Sequence, residues 1–324
     1  MRARFRPAWW LPGGHLQTVG ASLLPGPRPP ARERTVFELP DGDFVEADWT
    51  APRRPGAPLL IILHGLEGSS DSPYARRIAA AADAAGWQAV VLHARGCGGT
   101  PNRLPRGYHA GETGDLAAFL DAVPGMGHER VAALGYSLGG NVLLKYLGER
   151  GAAAGLVAAA AVSVPYDLAD SAAAVDSGFS RLYRDRLLRS MKRRLREGIE
   201  SGRLNRRWTA ALDARDFRTF DDRFTAPAHG FRDVDDYYER CSAGRFLRGI
   251  RVPTLLVHAA DDPLMTPACI PARDDLPAEV ALEVSPAGGH VGFVSGGAPW
   301  RPESWLEGRI MAFLSGRLEA VSGR

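Results

Sequence analysis

Apolar residues recur along this chain in two rhythms. Short unbroken runs stand at 58–63 ("PLLIIL"), 87–93 ("WQAVVLH"), 130–134, 155–164, 252–259 ("VPTLLVHA") and 279–285 ("EVALEVS"). Runs of this length without alternation predict strands buried on both faces, as in a parallel sheet. Between them lie helix signals. Ser72-Pro73 supplies an N-cap and first position, Ala79 to Ala85 continue the helix, and Gly86 ends it. Further helices are predicted over 112–121, from Leu138 to Glu149, and over 303–317. Ahead of all these, past a Pro-rich stretch at 25–30, "TVFELPDGDFVEADW" alternates around Asp41-Gly42 and predicts an antiparallel hairpin.

Strands alternating with helices predict an α/β fold, a doubly wound, mostly parallel sheet covered on both faces. The alternation stops between Pro165 and Ile250. There Phe179, Leu182, Tyr183, Leu187, Leu188, Met191, Leu195 and Ile199 recur at steps of three and four, the stripe of one long amphipathic helix. The organisation expected is an N-terminal arm (1–34), a catalytic domain built from 35–164 and 251–324, and a helical cap inserted at 165–250. A length of 324 residues accommodates one such domain with its insertion. No internal repeat is present.

Charge changes this picture only locally. The net charge is +3, but residues 181–207 hold eleven Lys/Arg against Asp185, Glu197 and Glu200, or +8, leaving −5 for the rest. The excess falls on the cap helix, whose basic face suits a solvated lid or a surface that docks on anionic lipid. The lid is preferred, because charged outer faces are the ordinary state of amphipathic helices. Nucleic acid is not expected as a partner, since neither interleaved aromatics nor a recognition motif accompanies the patch.

Compartment follows from other features. The basic start "MRARFRPAWWLPGGHLQ" is broken at Pro12-Gly13-Gly14 before an export signal's apolar core can form. The apolar run 152–164 is shorter than the roughly 20 residues that span a bilayer. Cys97, Cys241 and Cys269 have no zinc or disulfide spacing. A cytoplasmic protein is expected.

The candidate chemistry lies in "VAALGYSLGGN", where Gly135-Tyr136-Ser137-Leu138-Gly139 joins a predicted strand to a predicted helix. G-x-S-x-G in that setting is a nucleophile elbow: a sharp turn exposes the serine, and the first helical N–H groups face a developing oxyanion. Such a turn also arises by chance, so the reading depends on partners. A serine hydroxyl needs a base, and the base needs a carboxylate, in the chain order Ser, acid, His. His290, in the loop "PAGGHVGF" after the last strand, is the candidate base. Asp262, three residues past the strand end at Ala259, is the candidate acid, with Asp261 as the alternative. Leu138 N–H and Leu66 N–H, the latter in "LHGLEGSS", are the candidate oxyanion donors, while His64 reads as a loop-packing residue. No histidine pair has metal-ligand spacing, so neither a metal nor another cofactor is expected.

The chain also resembles the α/β-hydrolase superfamily and, within it, the YheT-like branch. The resemblance rests on "WWLPGGHLQT" (9–18), "HGLEGSSDSPY" (64–74), "RGCGGTPNRLPRGYHAGETGDL" (95–116), "GYSLGGN" (135–141), "FDDRFTAPAHGF" (220–231) and "ADDPL" (260–264), and so spans nearly the full length. It implies a serine esterase or lipase-like hydrolase of carboxylic esters using Ser137, Asp262 and His290, without giving His109 a role. Membrane residence of anchored relatives does not carry over, because no N-terminal apolar anchor is visible. The expected partner is a small-molecule or lipid ester. The rival readings are an acyltransferase or lipid-ester hydrolase at a membrane surface, and a non-catalytic binding protein on a hydrolase fold.

Overall fold

Eight strands form one twisted sheet in the order β1-β2-β4-β3-β5-β6-β7-β8. The strands are β1 (Arg32–Glu38), β2 (Phe44–Thr50), β3 (Leu59–Leu63), β4 (Gln88–Leu92), β5 (Val131–Tyr136), β6 (Ala158–Val162), β7 (Thr254–Ala259) and β8 (Val280–Ser285). β1 and β2 make the expected antiparallel hairpin, and β2 is antiparallel to β4; every pairing from β4 to β8 is parallel. The computed structural model describes residues 5–24, 26–53 and 55–322. Residues 1–4 of the predicted arm and Pro25 of the Pro-rich stretch lie outside that range.

The unbroken apolar runs are what a sheet covered on both faces requires. In β3, Leu59, Ile61 and Leu63 join the core on one face, and Leu60 and Ile62 join the core on the other. This is the period-two alternation of a strand. Each such side chain contributes about 1.5–3 kcal/mol by leaving water. β6 is built from Ala158 to Ala161, poor strand formers by propensity. Its small side chains let α4 (Leu138–Arg150) and the C-terminal helix Trp305–Ser322 pack against it from the two faces.

Helices α2 (Pro73–Ala84), α3 (Gly114–Ala122) and α4 connect parallel strands. Ser72 precedes α2, but its hydroxyl makes no bond to the helix end and accepts Ser69 N–H instead. The long loop into α3 is stapled by a buried charge cluster. Arg95 makes two parallel bonds to Asp115, at 2.8 and 2.6 Å, and a third to Asp43 at 3.1 Å, while Asn102 donates to the same Asp43. The guanidinium also pairs with Asp41 at 2.8 Å, and it compensates the charge of the fully buried Asp43.

Residues 165–250 add helices and turns between β6 and β7 and contribute no strand to the sheet. They include α5 (Leu168–Ala174), α6 (Arg181–Glu200) and a helix at Val234–Cys241. The apolar stripe of α6 is only partly buried: Leu188 and Leu195 are covered, while Phe179 and Leu182 at its start are exposed. Two elements have no counterpart in the apolar pattern. One is α1 (Gly13–Leu23); the other is a ribbon of Val294–Ala298 against Arg301–Ser304. No helix among the described residues is long and apolar enough to cross a membrane.

Histidines inside the fold, among them His64, His93, His109 and His258, make stability pH-dependent. His64 Nδ1 donates to Gly65 O at 2.8 Å and Nε2 accepts Ala94 N–H at 3.0 Å, a pattern that only the neutral ring satisfies. Burial lowers His64 and His258 to about 4 and His109 to about 3. Such groups stabilise fully above their unfolded value near 6.5, and that contribution is lost as pH falls toward 4. At pH 5 the cost is about 2 kcal/mol for each ring. Asp221, which burial raises to about 6, opposes this in part over the same window. Urea unfolding at pH 7.5 and pH 5 should therefore show a net loss of a few kcal/mol at the lower pH, before most carboxylates begin to protonate.

Candidate functional site

Ser137 occupies the turn between β5 and α4 with φ 50° and ψ −119°, a region that side-chain-bearing residues rarely adopt. The turn is forced because α4 starts hard against the end of β3. A Cβ on Gly139 would lie 2.4 Å from Leu63 O and 2.5 Å from His64 O, so only glycine fits. Ser137 N–H is held by Val162 O at the end of β6, and Ser137 O accepts the first helical bond from Asn141. Among the described residues, neither Leu138 N–H nor Leu66 N–H has a protein acceptor. Leu66, Ser137 and Leu138 share the wall of one cavity of about 190 Å³.

His290 and Asp262 meet at the neighbouring strand ends. His290 Nδ1 donates to Asp262 Oδ2 at 2.8 Å, and Asp262 Oδ1 accepts Leu264 N–H. Asp262 is almost completely buried. The next residue of the histidine loop, Val291, donates its N–H to Ser163 Oγ at 3.0 Å. Thus Ser137 is tied to Val162 and the His290 loop to Ser163, adjacent residues at the end of β6. Asp261 does something different: its Oδ1 accepts Gly289 N–H at 2.8 Å, and burial raises its carboxyl. One carboxylate faces the imidazole, and the other holds the backbone that carries it.

That loop also rests on α1, an element the sequence pattern did not reveal. Thr18 Oγ1 accepts His290 N–H at 2.8 Å and donates to Gly14 O at 2.7 Å. Gln17, fully buried, accepts Val294 N–H and donates back to Val294 O. The contact is close enough that a Cβ on Gly14 would sit 1.8 Å from Asp261 O. "WWLPGGHLQT" therefore has a place: it braces the histidine loop from outside. Its only sequence signal was membership in the resemblance, because α1 buries a glutamine where an apolar stripe would be sought.

A second contact missed by the sequence joins the 165–250 segment to the Leu66 loop. Glu67, held at φ 57°, accepts from Tyr108 Oη at 2.9 Å, Ser190 Oγ at 2.6 Å and Arg194 Nη2 at 3.2 Å. Ser190 and Arg194 lie on α6, so that helix is latched directly beside Leu66. The cavity wall is mostly apolar, with Leu168, Leu187, Met191, Phe220 and Phe224 among its residues. Asp221 and His109 also line it. Asp221 accepts from Tyr238 Oη at 2.9 Å, and His109 is packed against His229, Phe231 and Tyr237. Among the described residues, no group of three or more His, Cys, Asp or Glu could hold a metal ion.

Known proteins share this architecture. A family model for the α/β hydrolase fold matches residues 58–297. "Putative esterase YheT" of Escherichia coli is 41% identical, across 99% of this chain and 95% of that protein. A "Monoacylglycerol lipase" of Saccharomyces cerevisiae is 31% identical, across 81% of this chain and 59% of that protein. Among solved structures, an esterase of Pyrococcus furiosus superposes with a TM-score of 0.57 at 17% identity, covering 89% of this chain and 91% of that one. The last likeness concerns the fold; the first two extend it to sequence. The chain belongs to the α/β-hydrolase family, on its YheT-like branch.

Proposed function

We propose that this protein hydrolyses carboxylic esters through an acyl-serine intermediate, with Ser137 as nucleophile, His290 as base and Asp262 as the residue that orients the base. The observation that carries the reading is the 2.8 Å bond from His290 Nδ1 to Asp262. It commits the Nδ1 proton to the carboxylate and leaves Nε2 free to take the Ser137 proton. Ser137 Oγ then attacks the acyl carbon, and the Leu66 and Leu138 N–H groups receive the oxyanion. The alcohol departs with the proton from Nε2, and a water deprotonated by the same nitrogen releases the acid. The apolar cavity beside Ser137 suits an acyl chain, and the relatives named esterase and monoacylglycerol lipase support small-molecule or lipid esters as substrates. In this reading, 165–250 is a cap over the catalytic domain of 35–164 and 251–324. The three free cysteines support a cytoplasmic setting.

Ser137→Ala should lower turnover of a p-nitrophenyl ester by about 10⁶-fold and abolish labelling by a fluorophosphonate, with circular dichroism unchanged. Undiminished turnover or persistent labelling by the pure variant refutes the assignment; a binding protein would label in neither form. Asp262→Asn should cost about 10⁴-fold through loss of the correct tautomer. Asp261→Asn keeps an acceptor for Gly289 N–H and should cost no more than about tenfold. The reverse ranking would give Asp261 the orienting role.

Thr18 tests the brace on the histidine loop. Thr18→Val removes the acceptor for His290 N–H, and misplacement of the ring should lower kcat about 10- to 100-fold while KM stays near its original value. Thr18→Ser, which restores the hydroxyl, should recover most of kcat. A change confined to thermal stability would mean that α1 only packs.

A further inference from the structure

Helix α1 is built the wrong way round for a surface helix. Its buried residues are Gln17 and Ala21, while Leu16 and Leu23, two turns apart on one face, are 48% and 78% exposed. An ordinary surface helix buries its leucines and exposes its amide. The start of α6 adds to this face. Phe179, in the turn before α6, is 53% exposed and Leu182 57%, and the His15 ring lies against Phe179 at 4.9 Å and Tyr183 at 5.8 Å, which brings the start of α1 against the start of α6. Large exposed side chains clustered in this way mark an interaction site, whereas scattered ones do not.

The charge beside the patch identifies the occupant. Leu182, Arg186, Arg189 and Arg193 are spaced i, i+4, i+7 and i+11, so they form one outer stripe of α6, and all four are exposed. The stripe is apolar where it meets α1 and cationic beyond. Among the described residues Arg186 has no acidic partner, Arg189 bonds only the backbone of Asp185, and Arg193 reaches Glu197 at 3.9 Å. Leucine and phenylalanine projecting beside exposed arginines, of which only Arg193 has an acidic partner among the described residues, match a bilayer with anionic headgroups, where acyl chains receive the first and phosphates the second. The position fits delivery of substrate. Ser180, just before α6, bonds Pro263 O beside Asp262, and α1 holds the His290 loop.

From this juxtaposition we propose, against the solvated lid preferred from the charge pattern alone, that the face formed by α1 and the outer stripe of α6 docks on an anionic lipid bilayer, so that the ester enters the cavity from lipid. The docking presupposes the esterase reading for its purpose but is measured independently of it. The full chain is sedimented with phosphatidylglycerol–phosphatidylcholine vesicles and with phosphatidylcholine vesicles alone. Binding to the anionic vesicles at low salt is expected, with release at 0.5 M salt. Arg186→Gln/Arg189→Gln/Arg193→Gln should weaken partitioning on the order of a hundredfold, about fivefold for each charge. Leu16→Ser/Leu182→Ser should abolish it at equal charge. Both variants should turn over a short soluble ester at the original rate, since none of these residues touches the candidate triad. That control separates a failed esterase assignment, visible with the soluble ester, from failed docking. Absence of low-salt binding by the wild type, or unchanged binding by either variant, overturns the proposal. So does a dimer in gel filtration that Leu16→Ser/Leu182→Ser dissolves, which would make the patch a subunit interface.

Discussion

The close approach of α4 to the end of β3 is the constraint on which the rest of the candidate site depends. With Gly139 pressed against Leu63 O and His64 O, the chain has no relaxed route from strand to helix, and Ser137 takes up the strain at positive φ. The first N–H of α4, which has no acceptor among the described residues, comes with it to the cavity wall shared with Leu66. Strain, exposed hydroxyl and unsatisfied donors are thus one local fact seen from three sides. The surrounding parallel strands, buried on both faces, supply the packing that keeps so costly a turn in place.

Around this turn, polar contacts are divided by task. Asp262 orients a ring and Asp261 a backbone, although the two are neighbours in sequence. Glu67 ties α6 to the loop of Leu66 and is saturated by three donors, so its charge is compensated where it is buried. A shift of α6 would therefore be transmitted to the Leu66 backbone. Burial keeps His64 and His258 neutral near the strand ends, while His93 is bonded to Asp48 and His290 to Asp262.

Much of this was legible from the residues alone, and the exceptions have physical causes. Unbroken runs such as "PLLIIL" located the strands because a doubly covered strand has no polar face to interrupt it. Ser137, Asp262 and His290 stood out through chain order and their places after strands; the strand does end at Ala259, the register that favoured Asp262. Strand order was not legible, since pairing joins residues far apart in sequence. Helix α1 was hidden because Gly13 and Gly14 read as a break and because its inward residue is Gln17, satisfied by Val294 rather than by apolar neighbours. The stripe of α6 was found but overextended: Phe179 and Leu182 belong to its rhythm, yet the helix has no core beneath its first turn. Glu67 gave no signal, because its partners come from two distant segments.

The bond from Thr18 to His290 spans 272 positions of the chain. In a chain emerging from the ribosome the segment of Ser137 leaves well before the histidine loop, and that loop and the helix that braces it can meet only once β8 has passed the exit. Until then Ser137 stands without the His290 loop. The proposed site is therefore complete only late in synthesis. A chain cut before residue 286 would retain Ser137 but lack the loop of His290.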